Sequence, residues 1–545
     1  MALIFFNISL VVLGAIFISG GQFVGNSFVD TAQNFIDTLS NIIDDVNDIR
    51  KDTVASETYE EKPNSVITVQ RKDERIDIIK KARANGTRIR CAGSKHSPAK
   101  SINPQQNAGV TIALVGDVFQ SVYPISEDDG ILTVRVGAGC YIGHNPMDPK
   151  STVENGLAYQ LDQLGYALSI TGGITHQTIA GYMLTGADGG SLKHGTADSI
   201  GDIEFIDGTG TLNTAKKGTD LWQAVGVSMG LYGIVTSVVL HVGKRYLVQG
   251  LEENVHFENS FLAQNEKGVS MLRQNMEENE YFRIYWFPQK HVRRVQQWTA
   301  RREHSEHMEK RPYNDPLKWE VRSRTATQAL LAAQAILEDV KGKEKQEQER
   351  GYIAVGNLVK PYVSIQHVNF FRDDWYKALP NDNDKHVDRL FNIDMTEIWL
   401  PIDQSNMVIE RMNRMFTVNQ QAAGPFITEI YSGKESPFWL SGAYGGNVVK
   451  IDAMWYHYNI GDIEEYWKYF WDVLLDFPRA RLHWGKWLPR PGQMFAGVTF
   501  NLNFLKKNYP KMDDWLALRK KYDPDQVFVT EYWREILEIP HVEKH

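Results

Sequence analysis

Two glycine-rich stretches carry the residue types most readily tied to chemistry. The first is Gly93-Ser94-Lys95-His96-Ser97-Pro98. A Gly-Ser turn that follows a strand can point successive backbone N–H groups one way, forming a concave anion site. An ordinary tight turn has the same composition, so both readings stand. The second stretch runs from Ala167 to Gly190 and sets Gly172, Gly173, Gly181, Gly186, Gly189 and Gly190 among Thr175, Gln177 and Thr178. Such a segment packs poorly but lets main chain lie close against a flat ligand. A glycine-rich surface loop is the alternative. Between the two, Gly137-Ala138-Gly139 closes an apolar alternation.

The flanking chain supplies elements that can hold these stretches. Residues 65–69 alternate as a short strand, 73–84 read as a helix, and 87–92 alternate again after an Asn85-Gly86 turn. The first glycine stretch therefore leaves a strand–helix–strand unit. Residues 131–136 read as a strand, 153–164 as a polar helix, and 200–212 as a hairpin around Asp207-Gly208-Thr209-Gly210. The run from Gly230 to Leu240 ends this block as a buried strand.

Composition bounds the function. The 545 residues hold 59 Lys and Arg against 67 Asp and Glu, a net charge of −8, which offers no general field for a nucleic acid. A hydrophobic content of 42% supports sizeable cores. Two cysteines, Cys91 and Cys140, exclude a disulfide scaffold and a four-cysteine metal site, and no metal is expected.

Four segments, in order, carry a family resemblance. Arg88 to Pro98 with Val136-Gly137-Ala138-Gly139, the 172–190 stretch and the run from Gly230 to Val242 resembles the FAD-binding domain of the vanillyl-alcohol oxidase superfamily. Leu482-His483-Trp484-Gly485-Lys486 resembles the His-Trp-(Ala/Gly)-Lys signature of its sugar-1,4-lactone oxidases and alditol oxidases. Trp439-Leu440-Ser441-Gly442-Ala443-Tyr444-Gly445 and Tyr522-Asp523-Pro524-Asp525-Gln526-Val527-Phe528 resemble two further motifs of that group. The resemblance implies an α+β protein, with a two-subdomain PCMH-type FAD-binding domain over residues 60–243. It also implies an antiparallel-sheet cap over 244–500 and a C-terminal return segment over 501–545. The charged stretch 301–350, with an apolar centre at 325–336, is then a cap helix.

The same resemblance implies roles. Gly93, Ser94, Lys95, His96 and Ser97 would cradle the pyrophosphate, with His96 bonded to the flavin. Gly172, Gly173, Thr175, Gln177, Thr178, Gly181, Gly186, Gly189 and Gly190 would line the cofactor, and Ile234 and Val235 its adenine end. Cys140 is not expected to form a second bond, because the cysteine of bicovalent relatives falls near 174–177, where none stands. Both cysteines read as free thiols. Lys486, Glu429 and His483 would face the substrate. Tyr431 and Asp452 stand where alditol oxidases have an Arg and a His, and could serve in acid–base chemistry. Glu397 reads as structural. The expected activity is oxidation of a carbinol on a small molecule by hydride transfer to flavin N5, with O2 or another acceptor taking the electrons. Phenolic oxidation on the same scaffold, or a non-catalytic relative, is the alternative.

The N-terminus reads as a separate object. Residues 1–21 carry no charged side chain, and the first Lys or Arg is Arg50. The apolar run to Ile18, followed by Ser19-Gly20-Gly21, fits a cleaved signal peptide, while its length also fits a membrane anchor. Either routes the chain to the secretory system, where Asn85-Gly86-Thr87 is a glycosylation triplet. The 22–59 extension follows. Within it Val29, Ala32, Ile36, Leu39, Ile43 and Val46 recur at helical spacing.

Overall fold

The computed structural model describes residues 66–69 and 72–542, apart from 105–108, 263, 265, 267–268, 306–308, 314–331, 367 and 381–392. The expected signal or anchor, the N-terminal helix and most of the 325–336 centre lie outside the described residues. The described part of that centre, from residue 332, is helical. Among the described residues no helix is long and apolar enough to cross a membrane.

Alternating apolar residues build the opening unit as expected. β1 (Val66–Val69), a helix over Lys72–Asn85 and β2 (Arg88–Ala92) appear in order, and β3 (Gly109–Leu114) inserts between the strands, parallel to both. The helix buries Ile79 and Ala82 against Ile89 and Ile112. The 93–97 turn thus leaves the carboxyl end of a parallel sheet, where open α/β sheets place ligands.

A second, antiparallel sheet follows. It is built from β4 (Val122–Asp128), β5 (Ile131–Gly137), β6 (Tyr166–Ala167), β7 (Ile200–Asp207), β8 (Leu212–Ala215) and β9 (Gly233–Lys244). The order is β4-β5-β9-β7-β8, with β6 also on β9. The expected hairpin is β7–β8. The polar helix is shorter than the sequence suggested and spans only Leu157–Gln163. Thr152 and Asn155 explain the loss: each side chain accepts the other's backbone N–H, which favours a turn over a helix.

The third sheet comprises β10 (Leu247–His256), β11 (Tyr281–Phe287), β12 (Arg294–Glu303), β13 (Val368–Asp374), β14 (Ile393–Pro401), β15 (Thr428–Gly433), β16 (Val448–Tyr456) and β17 (Arg481–Leu482). Its order is β13-β10-β12-β11-β15-β16-β14-β17, and every ladder is antiparallel. Strand alternation splits its residues between two faces. Ile398, Ile430 and Ile451 join the core with Phe416 and Trp471 of the helices Ser405–Val418 and Ile463–Leu474. The other face presents Glu397, Glu429, Tyr431, Lys450 and Asp452. All nine residues of β16 are buried, so this polar face is covered too.

The C-terminal helices return to the first sheets. The Gly208 N–H donates to Tyr522 O at 2.9 Å and the Ile89 N–H to Val527 O at 2.8 Å. A Cβ on Gly208 would stand 2.2 Å from Asp523 Oδ1, so glycine is required at this contact.

Candidate active site

The floor of the site is the 93–97 turn. Lys95 adopts φ +63, a left-handed conformation that the turn imposes on a non-glycine residue. A Cβ on Gly93 would lie 2.5 Å from Thr178 Oγ1, so the absence of a side chain there locks the two glycine stretches together. The same Thr178 hydroxyl accepts the Gly181 N–H at 3.2 Å and caps the helix Ile179–Leu184, which ends before Gly186 at φ +75.

A cavity of about 150 Å³ opens here. Gly93, Ser94, Lys95, His96 and Ser97 line one side, and Gln177, Thr178, Gly181 and Val235 line others. The remaining predicted floor residues do structural work nearby. Thr175 packs where a Cβ on Gly143 would stand 2.2 Å from its Oγ1. Gly172 lies against Tyr182, Gly186 against Val227, and Ile234 joins the core with Ile206 and Val527. Gly173 is half-buried. Among the described residues of the cavity wall the two ionic side chains are cations, Arg90 and Lys95, with no carboxylate. Small residues, main chain and positive charge fit the pyrophosphate of a dinucleotide.

Arg90 also explains the rigidity of this floor. Its buried guanidinium donates to the carbonyls of Ser101 and Met229 and pins three segments under the cavity. Cys91 and Cys140 are unpaired thiols, as expected, and burial pushes them up to about 11 and about 12, leaving both neutral and inert.

His96 sits beneath the roof. Its ring lies 4.1 Å from that of His176, centroid to centroid. Burial first, then His176 and Lys486, holds its imidazole well below the ordinary range. His176 is driven down to about 4 by burial and His144. Both rings are therefore uncharged at neutral pH.

The roof is the polar face of the third sheet together with the loop after β17. Pairing sets Glu429 beside Asp452, and Asp452 beside Glu397, in one row across β15, β16 and β14. One step along, Tyr431 pairs with Lys450. Tyr431 Oη lies 3.0 Å from Glu397 Oε1 and 3.3 Å from Asp452 Oδ2. His483 follows directly, its N–H bonded to Glu397 O at 3.0 Å, and its Nδ1 accepts the Gly485 N–H. Lys486 Nζ stands 3.0 Å from Met395 Sδ. A Cβ on Gly485 would lie 3.1 Å from Ser97 Oγ, so the His-Trp-Gly-Lys loop rests directly on the cofactor turn. Trp484 completes the cavity wall.

The charges sort themselves. Burial, with Glu397 and Glu429 adding to it, raises Asp452 well above the carboxylate range against the pull of Lys486 and Lys450. Burial also opposes ionisation of Glu397, but His483, then Lys450, Lys486 and the Tyr431 hydroxyl, outweigh it and hold Glu397 low. His483 itself is pushed by burial to about 4, against the pull of Glu397. Burial and the surrounding carboxylates keep Tyr431 a hydroxyl.

Two of these residues were missed or misread from sequence. Glu397, expected to be structural, sits inside the polar row. Lys450 was not singled out at all. It is fully buried, donates to the carbonyls of Asp188 and Gly189 at 3.0 and 2.8 Å, and lies 3.9 Å from the Tyr431 ring. The available signal was its place two residues before Asp452, on the same face of one strand.

A parallel-sheet unit, an antiparallel partner sheet and a roofing antiparallel sheet make this the PCMH-type flavin-binding fold of the vanillyl-alcohol oxidase superfamily. The cholesterol oxidase of B. sterolicum has the same fold, with a TM-score of 0.62 at 12% identity over 87% of this chain and 94% of that one. Residues 256–536 match the D-arabinono-1,4-lactone oxidase family model, and the chain belongs to that family. The D-arabinono-1,4-lactone oxidase of Candida albicans is 26% identical over 242 residues, 42% of this chain. That match spans only 39% of the relative's length. The L-gulono-1,4-lactone dehydrogenase of Mycobacterium tuberculosis is 22% identical over 479 residues, covering 87% of this chain and 96% of that protein.

Proposed function

We propose that this protein is an FAD-dependent oxidoreductase that oxidises a carbinol of a sugar lactone or related polyol, with O2 as the acceptor and hydrogen peroxide as the product. The apposition of the Gly485–Lys486 loop to the Ser97 turn carries this reading, because it brings a cationic side chain to the histidine of the cofactor turn. Bound FAD would supply the hydride acceptor.

The chain's own residues prepare the rest. The 93–97 turn with Lys95 and Arg90 holds the pyrophosphate. The neutral His96 imidazole has a free ring lone pair, the state required for a bond to the flavin ring. Lys486 offers positive charge where negative charge develops during oxidation. The family membership supports the lactone class, and Tyr431 and Asp452 favour a neutral substrate over an anionic one. The charge-free start adds a further part: entry to the secretory route through residues 1–21. N-terminal sequencing of the mature protein checks it, with Gln22 the expected first residue after cleavage.

The test is direct. Purified protein should be yellow, and acid precipitation should leave the colour in the pellet. Oxygen uptake should follow addition of D-arabinono-1,4-lactone or L-gulono-1,4-lactone. A colourless protein, or one inert to both lactones and to a polyol panel, overturns the reading.

A further inference from the structure

The polar row in the roof contains one proton too few for the hydrogen bonds it makes. Tyr431 Oη lies within bonding distance of Glu397 Oε1 and of Asp452 Oδ2, at 3.0 and 3.3 Å. A phenol has a single hydrogen to donate. That one hydrogen would have to be shared between two carboxylates, whereas protonation of one carboxyl, donating to the phenol oxygen, gives each contact a hydrogen of its own. Asp452 is the one that fits. It is 3% exposed and sits between two acidic neighbours, Glu429 and Glu397, in the same cross-strand row. Glu397 has the favourable surroundings for charge, with His483, Lys450 and Lys486 around it. The bonds then run in one direction, from Asp452 Oδ2–H to Tyr431 Oη and from Tyr431 O–H to Glu397 Oε1.

The second Asp452 oxygen gives the chain an open end. Oδ1 is buried and has no hydrogen-bond partner among the described residues. In the protonated acid it is the carbonyl oxygen, an acceptor. An unsatisfied buried acceptor is costly, so a donor is expected there in the working complex.

We propose that the hydroxyl of the carbinol donates to Asp452 Oδ1, and that its proton leaves the site through Asp452 and Tyr431 to Glu397. The inference rests on the oxidation proposed above and names the path of its proton. The substrate O–H bond breaks and an Oδ1–H bond forms. The Oδ2 proton passes to the Tyr431 oxygen, and the Tyr431 proton passes to Glu397. Asp452 and Tyr431 are neutral before and after, and Glu397 ends as the acid. The electron pair leaves with the carbinol hydrogen as hydride to FAD, so a carbonyl remains on the product. Asp452 is the catalytic residue, since it touches substrate. Tyr431 and Glu397 act through it. The groups facing Asp452 are Glu429 and Tyr431 on β15, Glu397 on β14, Lys450 on β16 itself, and Lys486 on the loop after β17.

Infrared spectroscopy tests the proton arrangement on the resting holoenzyme without substrate. A carbonyl band of a buried, protonated carboxylic acid is expected at pH 7, shifted in D2O, absent from Asp452→Asn and retained in Glu397→Gln. Absence of that band from the wild-type protein, or its survival in Asp452→Asn, overturns the proposal. Tyr431→Phe keeps the shape and cuts the relay. It should slow anaerobic flavin reduction by the two lactones about 100-fold. It should also abolish the loss of rate at low pH that protonation of Glu397 imposes on the wild type. A Tyr431→Phe protein that keeps the wild-type pH profile overturns the relay even if the infrared band stands. The infrared arm decides the proton arrangement even where neither lactone is turned over.

Discussion

The floor and the roof of the site solve different problems with different parts of the chain. The floor works through main chain. Its glycines bring two loops within touching distance, its cations are few, and its histidines are neutral. The roof works through side chains. Acid, phenol and ammonium groups are forced into one buried layer by strand register. A floor of this kind recognises what cofactors share, phosphates and flat rings. A roof of this kind can change its chemistry by one substitution without touching the cofactor. Tyr431 and Asp452 stand in the roof, and both depart from the pattern of the alditol oxidases.

That division can be broken in order of size. Lys486→Met removes charge from the roof and leaves the floor intact, so anaerobic flavin reduction by lactone should fall about 100- to 1000-fold while flavin content is unchanged. Stopped-flow absorbance measures the first and the visible spectrum the second. Gly189→Ala strikes the junction instead, because its Cβ would stand 2.2 Å from Thr171 O. It should cost about 3 kcal/mol and lower both Tm and flavin content, as thermal melts would report.

A pH effect belongs to the support beneath the floor. Burial raises Asp523 to about 6, while its oxygens accept the Val527 and Phe528 N–H groups. Below about 4 the carboxyl is protonated in both folded and unfolded chains. As pH rises, the unfolded chain ionises first, so stability falls by up to about 3 kcal/mol between pH 4 and 6 and then levels. Asp188, also raised to about 6 by burial, adds to the slope. Chemical denaturation across this range should show the fall, and Asp523→Asn should flatten it. The smallest effect is the control Gly492→Ala. Its φ is +84 with nothing within 4 Å, so it should cost only about 1 kcal/mol, in the melt alone.

The floor was legible in the sequence, and the roof was legible only in part. Turn chemistry is local: Gly93 to Ser97 announces itself in five residues, and the strand before it in five more. The roof is assembled by pairing between β14, β15 and β16, which lie 393 to 456 along the chain. Glu397, Tyr431 and Asp452 are neighbours only because of that register, and nothing local to Glu397 marks it as anything but a strand residue. Lys450 escaped for the same reason. Its partners are the carbonyls of Asp188 and Gly189, which no side-chain motif can reveal. The shortened helix before Leu157 shows the opposite lesson, since Thr152 and Asn155 were in plain view and their competition with helix is a local effect.

Lys450 has a mechanical consequence. Its ammonium ties the third sheet to the second glycine stretch, the Phe282 N–H donates to Gly190 O at 2.8 Å, and Ser191 bridges to Gly433 alongside. These ties hold the third sheet against the second glycine stretch, so the two halves are denied a jaw-like gape.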